Sequence, residues 1–503
     1  MLAACSRPSS DKGQFIPRAE IFRSPGEWLA NSIYEIQWTA STTETEPLTI
    51  GLYQDGQFIQ SIIETEDSEG QIFWAAPANL PAGNNYRIGI AKETGLISQK
   101  SEALTFLPQK AWQMHVISSI GIGPDGVRLV DTNGDGLLDV TTSFESSGDV
   151  TLFQHPGFAD AASPWPSVQV GNVARGEDAL GADLDGDGAI DVISSHEGDT
   201  LGIYVHWAPS APQDYLVASK WQTELLPASQ GRGWMFAILM DVNRDGLLDI
   251  VAGSKDDYFN NRNAVGDLGW FEAPAKGKRD LDRWRYHTIG HVGWTMSLID
   301  YDVDEDGDLD LLVTDRNADK DHQGPRWLEN PGPPWAGEWT SHFMGDLAGT
   351  NPMFMSTGDL DQDGIDEFVI PFIDKFRVLI LKHTLVDSEV RFFPNEIRFG
   401  TASALGTLKA AQAGDINQDG RLDVVLTFVG GQIGVLWLSY SESPFAGIWE
   451  AHIVSDIPGG KYDLVQLYDV DGDGDLDIMT TEEQLNLGIL WFENPTINSA
   501  EIN

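Results

Sequence analysis

The stretch Asp469-Val470-Asp471-Gly472-Asp473-Gly474-Asp475-Leu476-Asp477 decides the architecture of this chain. Its pattern, D-x-[DN]-x-D-G-x-x-[DE], occurs seven times, starting at Asp131, Asp183, Asp241, Asp302, Asp359, Asp415 and Asp469. Successive starts lie 52 to 61 residues apart. Self-similarity at a fixed period marks a repeat architecture, with one supersecondary unit per copy. Each copy runs into an apolar, strand-like segment: DVTTSF, DVISS, DIVAGS, DLLVTD, EFVIPF, DVVLTF and DIMTT. A Trp-x-x-His run precedes several loops, at Trp112/His115, Trp284/His287, Trp339/His342 and Trp449/His452. Trp165 and Trp221 keep the Trp alone. A further run follows the loops, as in LGWFEAP, PRWLENP and GILWFENP. With Gly, Asp and Pro turns between them, these runs make about four short strands per repeat. Four strands in each of seven units predict an all-β, seven-bladed β-propeller.

The loops carry the first chemistry. Calcium is a hard cation that takes six to eight oxygen ligands. Alternate positions of a tight loop point inward, so positions 1, 3 and 5 offer side-chain oxygens. These are Asp131, Asn133, Asp135; Asp183, Asp185, Asp187; Asp241, Asn243, Asp245; Asp302, Asp304, Asp306; Asp359, Asp361, Asp363; Asp415, Asn417, Asp419; and Asp469, Asp471, Asp473. Position 7 offers a backbone carbonyl, from Leu137, Ala189, Leu247, Asp308, Ile365, Arg421 and Asp475. Position 9 offers a carboxylate, from Asp139, Asp191, Asp249, Asp310, Glu367, Asp423 and Asp477. The fifth loop departs from the others with Glu367 at position 9 and Asp366 before it. An EF-hand would need Glu at position 12 and flanking helices, which these strand-rich flanks do not suggest. The loops supply 25 carboxylates, which repel one another at close range without cations. Up to seven calcium ions are expected, moving the formal charge from -46 to -32.

These repeats resemble the FG-GAP/VCBS family, the calcium-bearing propeller repeat also found in integrin α subunits. The resemblance covers about residues 108–503. It implies that each acidic loop joins the first two strands of a blade. It also implies that Trp112–Ile117 forms the outermost strand of the last blade and closes the ring. Residues 19–107 hold no acidic loop and read as short strands, among them YEIQWTA, LTIGLYQDGQFIQSI and NYRIGIA. They resemble the Ig-like, Ser/Thr-rich Kre9/Knh1-type module of secreted proteins, so an Ig-like β-sandwich is expected ahead of the propeller. Residues 1–18 read as a tether. Within them, Leu2-Ala3-Ala4-Cys5-Ser6 resembles the lipobox of bacterial lipoproteins, which implies lipidation at Cys5. The resemblance implies an exported protein: a bacterial cell-surface or outer-membrane lipoprotein, or a secreted protein, expected to touch the membrane only through its lipid anchor.

Composition excludes other classes. The chain has 503 residues, 77 acidic against 31 basic, and one Cys. A phosphate backbone would be repelled, so no nucleic-acid partner is expected. A single Cys allows no intramolecular disulfide framework. There is no G-x-S-x-G elbow, H-E-x-x-H helix, Walker loop or dinucleotide fingerprint.

The face opposite the acidic loops is where function is expected. Blades two to four place Arg175, His196, Arg232, Trp234, Lys255, Tyr258, Arg262, His291, Trp294, Arg316 and His322 toward one rim. One reading makes them ordinary solvated loops. A second makes a site for an anionic ligand, with Arg175, Arg232, Lys255, Arg262 and Arg316 meeting carboxylate or sulfate and Trp234 or Trp294 stacking on a sugar. A third is catalytic: a polysaccharide lyase cleaving a uronate polymer by β-elimination, with His196, His291 or His322 as base and Tyr258 as acid. The recurrent His115, His287, His342 and His452 read as repeat packing. The leading expectation is recognition of an extracellular glycan or protein, followed by the lyase and then a purely structural surface component.

Overall fold

The computed structural model describes residues 27–39, 47–67, 69–92, 97–108, 111–255, 265–316, 323–335, 337–373, 377–387, 389–399, 405–447 and 449–495. Cys5, Tyr258, Arg262 and His322 lie outside the described residues. The chain divides into two compact units, the second beginning at Trp112.

In the first unit, a sheet runs in the order Glu27–Leu29, Leu104–Leu107, Gly83–Lys92, Leu48–Gln54, Gln57–Thr65. Ser32–Thr39 pairs antiparallel with Glu69–Ala75. Alternating side chains of these strands meet in one core of Trp28, Tyr34, Ile36, Trp38, Ile50, Leu52, Trp74, Tyr86, Ile88 and Phe106. Trp28 stacks on Tyr34 with ring centroids 4.0 Å apart.

The second unit is a β-propeller built from successive antiparallel sheets. The first sheet is Pro124–Val130, Asp139–Phe144, Asp149–Phe153, Ser167–Asn172, and the second is Gly176–Ala182, Asp191–His196, Gly202–Trp207, Gln222–Leu225. The third is Gly233–Met240, Asp249–Lys255, Gly266–Glu272, Arg285–Val292, and the fourth is Thr295–Tyr301, Asp310–Asp315, Gly324–Glu329, Thr340–Phe343. The fifth is Ser356–Gly358, Glu367–Phe372, Arg377–Val386, Glu389–Ile397. Leu405–Gly414, Asp423–Gly431 and Val435–Ser439 begin the sixth. The last pairs Tyr462–Tyr468, Asp477–Glu482 and Gly488–Glu493 with Gln113–Ser118, from the start of the unit. Pairing the first strand in sequence with the last in this way leaves no open edge at the join.

From the first sheet to the fourth and from the fifth to the seventh, the first strand of each sheet touches that of the next, and Tyr462–Tyr468 returns to Pro124–Val130. Between the fourth and fifth sheets the link is Met355 N–H donating to Ser297 Oγ at 2.9 Å. The second strands of the first two sheets, Asp139–Phe144 and Asp191–His196, are buried along their whole length. Neighbouring blades cover both faces, which is why the runs after the loops read as continuous apolar segments. Fourth strands such as Gln222–Leu225 face solvent, and their sequences are polar.

The recurrent Trp and His residues are packing elements. His115 stacks on Trp491 at 4.4 Å, His287 on Trp270 at 4.5 Å and His342 on Trp327 at 4.6 Å. Each imidazole Nε2 also meets a carboxylate on the third strand: Glu493 at 2.8 Å, Glu272 at 2.8 Å and Glu329 at 3.0 Å.

Candidate functional site

All seven acidic loops fold alike, because the carboxylate at position 1 organises the turn. Its Oδ2 accepts from the N–H of the position 6 glycine at 2.9 to 3.1 Å in every loop. Those glycines have φ between 83° and 100°, a region that L side chains rarely adopt. The position 5 carboxylate accepts from the N–H of position 7 at 2.8 to 3.1 Å in all seven. The position 9 carboxylate is buried and accepts from the N–H of position 2 at 2.8 to 3.2 Å.

Donor chemistry in these loops suits a hard divalent cation. Three carboxylates have oxygens within 4.8 Å of one another in the second, fourth, fifth and seventh loops. In the first, third and sixth loops, Asn133, Asn243 and Asn417 hold position 3, so an amide oxygen replaces one charge. In the fourth loop one buried oxygen each of Asp302 and Asp308 has no hydrogen-bond donor among the described residues. Burial pushes Asp191 and Asp249 up to about 7, and Asp310 and Asp477 up to about 8. A bound cation would reverse that cost by compensating the buried charge.

At the opposite end of the ring axis the first strands begin, and here a cavity of about 430 Å³ opens. Its lining follows a rule. The residue six before each acidic loop is Asp125, Glu177, Met235, Met296, Met353, Lys409 and Asp463 in the successive sheets. Three adjacent blades contribute methionine and the other four contribute charge. All except Asp463 line the cavity, and Asp463 is buried behind Lys409. Phe236 and Phe354 extend the apolar half. Glu145, Glu197, Lys255, Arg316 and Lys461 add charge from other loops and strand ends.

These charges are arranged in pairs. Lys255 meets Glu197 and lies 3.8 Å from Glu177. Lys409 lies 2.5 Å from Asp463, and Lys461 lies 3.6 Å from Asp463 while also meeting Glu483. At the lip, Arg175 holds Glu145 at 2.9 Å. Burial works against the Asp463 carboxylate, but Lys409 and Lys461 hold its pKa below the usual range. Asp125 is pushed well up by burial and then by the Asp463 charge. Glu177 is pushed well up by burial and by Asp125. The lining therefore holds four cations and four carboxyl groups, and burial pushes two of those carboxyls, Asp125 and Glu177, well up.

Of the residues singled out in the sequence, Lys255, Trp294 and Arg316 line this cavity. The Trp294 ring carries the Lys255 ammonium at 4.1 Å and the Arg316 guanidinium at 4.2 Å from its centroid. Three expectations are corrected. Trp234 is fully buried, donates to Ser229 O and packs on Phe271, so it offers no face to a sugar. Arg232 pairs with Asp267 and lies over Tyr286, and it does not line the cavity. His196 is buried inside the second blade, with Nε2 2.7 Å from Ser194 Oγ and Nδ1 3.0 Å from Ala174 O. It is therefore no accessible base. His291 is half-exposed near Asp267 and Glu338 and is absent from the cavity lining. Burial brings His196 down to about 4, so its ring should remain neutral at pH 5 in a side-chain NMR titration. Protonation above pH 6 would contradict this placement.

Sequence reasoning missed Asp125, Glu177, Lys409 and Lys461. For the first three the signal was available: a fixed offset from a repeated loop.

Comparison with known proteins adds the following. Residues 415–480 match the model of an FG-GAP-like repeat. No curated protein matches. Among solved structures, the chain is similar to a rhamnogalacturonan lyase from Bacillus licheniformis, at 12% identity, covering 94% of this chain and 89% of that one, with a TM-score of 0.38. It is also similar to an oligogalacturonate lyase from Vibrio parahaemolyticus, at 10% identity, covering 77% and 98%, with a TM-score of 0.42. A quinoprotein alcohol dehydrogenase-like protein from Bacteroides thetaiotaomicron matches at 10% identity, covering 90% and 99%, with a TM-score of 0.39. An FG-GAP-like repeat and successive four-stranded sheets in a ring fit a β-propeller. No helix among the described residues is long and apolar enough to cross a membrane.

Proposed function

We propose that this protein is an exported, seven-bladed calcium propeller that binds an acidic glycan in its axial cavity. The observation that carries the reading is the divided mouth of that cavity. Met235, Met296 and Met353 form one half, and Asp125, Glu177 and Lys409 the other. A sugar ring has an apolar face and polar edges, and a uronate or sulfated sugar adds a negative group. The methionines and Phe354 suit the ring face. Lys255, Arg316, Lys409 and Lys461 suit the anion, with Arg316 able to hold a carboxylate or sulfate by two parallel hydrogen bonds. Calcium in the acidic loops would hold the blades rigid around this mouth. The millimolar calcium outside cells suits loops of this kind.

A second reading has one observation in its favour. Asp125 and Glu177 are carboxyl groups pushed well up by burial, in a cavity they share with lysines. Such a set resembles acid–base machinery, and β-elimination at a uronate is the reaction it would serve. Growth of ultraviolet absorbance from unsaturated uronate ends would favour it over binding alone.

The test is affinity for a panel of acidic and neutral polysaccharides, measured in parallel on the parent and three variants. Arg316→Ala and Lys409→Ala should each weaken binding of the acidic ligand about tenfold or more, as loss of a charged hydrogen-bonding partner does. Arg283→Ala, on an exposed turn outside the cavity, should bind like the parent. Equal affinity in all four proteins would reject the axial site.

A further inference from the structure

The seven acidic loops are not equivalent, and one side chain on the third strand of each sheet distinguishes them. Directly across from position 9, one step beyond the last paired residues, stand Gln154, Trp207, Glu272, Glu329, Lys382, Ser439 and Glu493. In the third, fourth and seventh sheets this residue is Glu, an additional negative charge beside the loop. Burial raises Asp304 and Asp471, the neighbouring Asp306 and Asp473 charges raise them further, and Glu329 and Glu493 add smaller contributions of the same sign. In the fifth sheet the sign is reversed.

Lys382 reaches into its loop. Its Nζ meets Asp361 Oδ2, lies 2.6 Å from Asp363 Oδ2 and lies 3.7 Å from Glu367 Oε1. Those are positions 3, 5 and 9, which would otherwise be the cation's ligands. The loop is altered to match. In five loops the second oxygen of the position 9 carboxylate accepts a backbone N–H from the third-strand side: His155, Ala208, Ala273, Asn330 and Asn494, at 2.7 to 2.8 Å. Glu367 Oε1 has no such donor and faces the ammonium instead. Glu is one methylene longer than the Asp found at position 9 elsewhere, which brings its oxygens further into the loop. Arg279 makes a partial version of this contact in the second loop. It reaches Asp185 and lies 3.3 Å from Asp187, with no ion pair to Asp191 at position 9.

We infer that the fifth acidic loop is closed by the Lys382 ammonium in place of a calcium ion, so that this blade is calcium-independent. The inference rests on the calcium reading of the sister loops. An ammonium at hydrogen-bonding distance from two ligand positions and a divalent cation coordinated by the same oxygens would repel each other at close range. One fixed charge on the chain, present at any calcium concentration, takes over the neutralising role.

Calcium bound per protein, by elemental analysis and calorimetric titration, tests this on the full chain. Lys382→Gln should bind one more equivalent than the parent. Asp361→Asn should leave the parent count unchanged, while Asp304→Asn in the fourth loop lowers it by one. The two Asp variants decide the question even if Lys382→Gln fails to fold. If Asp361→Asn and Asp304→Asn each lose one equivalent, or if folded Lys382→Gln gains none, the assignment is wrong while the calcium reading stands. If neither the parent nor Lys382→Gln retains calcium, the calcium reading itself fails and this assignment falls with it.

Discussion

Chelation of calcium should lower the melting temperature of the propeller by about 20 °C. The size follows from mass action. A ligand at a hundred times its dissociation constant stabilises the native state by about 2.7 kcal/mol per site. With six loops filled, the total is roughly 16 kcal/mol, comparable with the whole stability of an ordinary domain. At the usual unfolding entropy per residue, a unit of this length shifts by about 20 °C for that amount. The charge pattern points the same way. Position 9 carboxylates are buried in every loop, and without a cation burial drives Asp310 and Asp477 up to about 8. Scanning fluorimetry with and without a calcium chelator measures the shift. The many Trp residues packed between blades report on the propeller directly. An unchanged melting temperature would remove calcium from the account of stability.

Substitution of Asp315 by Ala costs about 3–5 kcal/mol, the range for leaving one partner of a buried ion pair uncompensated. Asp315 ends a second strand and is wholly buried. Its carboxylate accepts from the N–H groups of Gly293 and Trp294, each at 2.9 Å, and from Arg326 Nη2 at 3.0 Å. Arg326 is itself buried and donates to His291 O at 2.8 Å and to Ser341 Oγ at 3.2 Å. This group therefore fixes the turn that carries Trp294 into the axial cavity. Asp315→Ala should lower the denaturation midpoint and also weaken ligand binding at temperatures where the variant is folded. Asp315→Asn keeps one acceptor oxygen and should fall between the two. A stability loss with intact affinity would show that the turn does not position Trp294 for the ligand.

The loops were legible in the sequence because their chemistry is local. Nine consecutive residues contain the carboxylates, the glycine and the strand start, so spacing alone specifies the turn. The Trp-x-x-His run was legible as packing because it recurs with the repeat, as does its partner, the Trp-x-Glu run at Trp270, Trp327 and Trp491. The cavity was only half legible. Lys255, Trp294 and Arg316 were found because they are polar or aromatic residues next to turns. Asp125, Glu177 and Lys409 sit singly on three different blades, joined in the sequence only by their shared offset of six residues from the acidic loop. Only the ring brings them together. His196 misled for a related reason. It follows a buried strand, and the sequence does not show that the strand's last side chain turns inward to Ser194. The fifth loop reads like its neighbours until Lys382, 15 residues beyond Glu367, is placed across from it by strand pairing.

The most direct test of the axial site is calorimetric titration of the calcium-loaded protein with an acidic oligosaccharide and with its carboxyl-reduced, neutral counterpart. The account predicts saturable binding of the acidic form at one site per chain, weakened by salt and weakened about tenfold or more in Arg316→Ala, with little or no binding of the neutral form. Equal binding of both forms, or binding of the acidic form that survives Arg316→Ala and Lys409→Ala together, would contradict it.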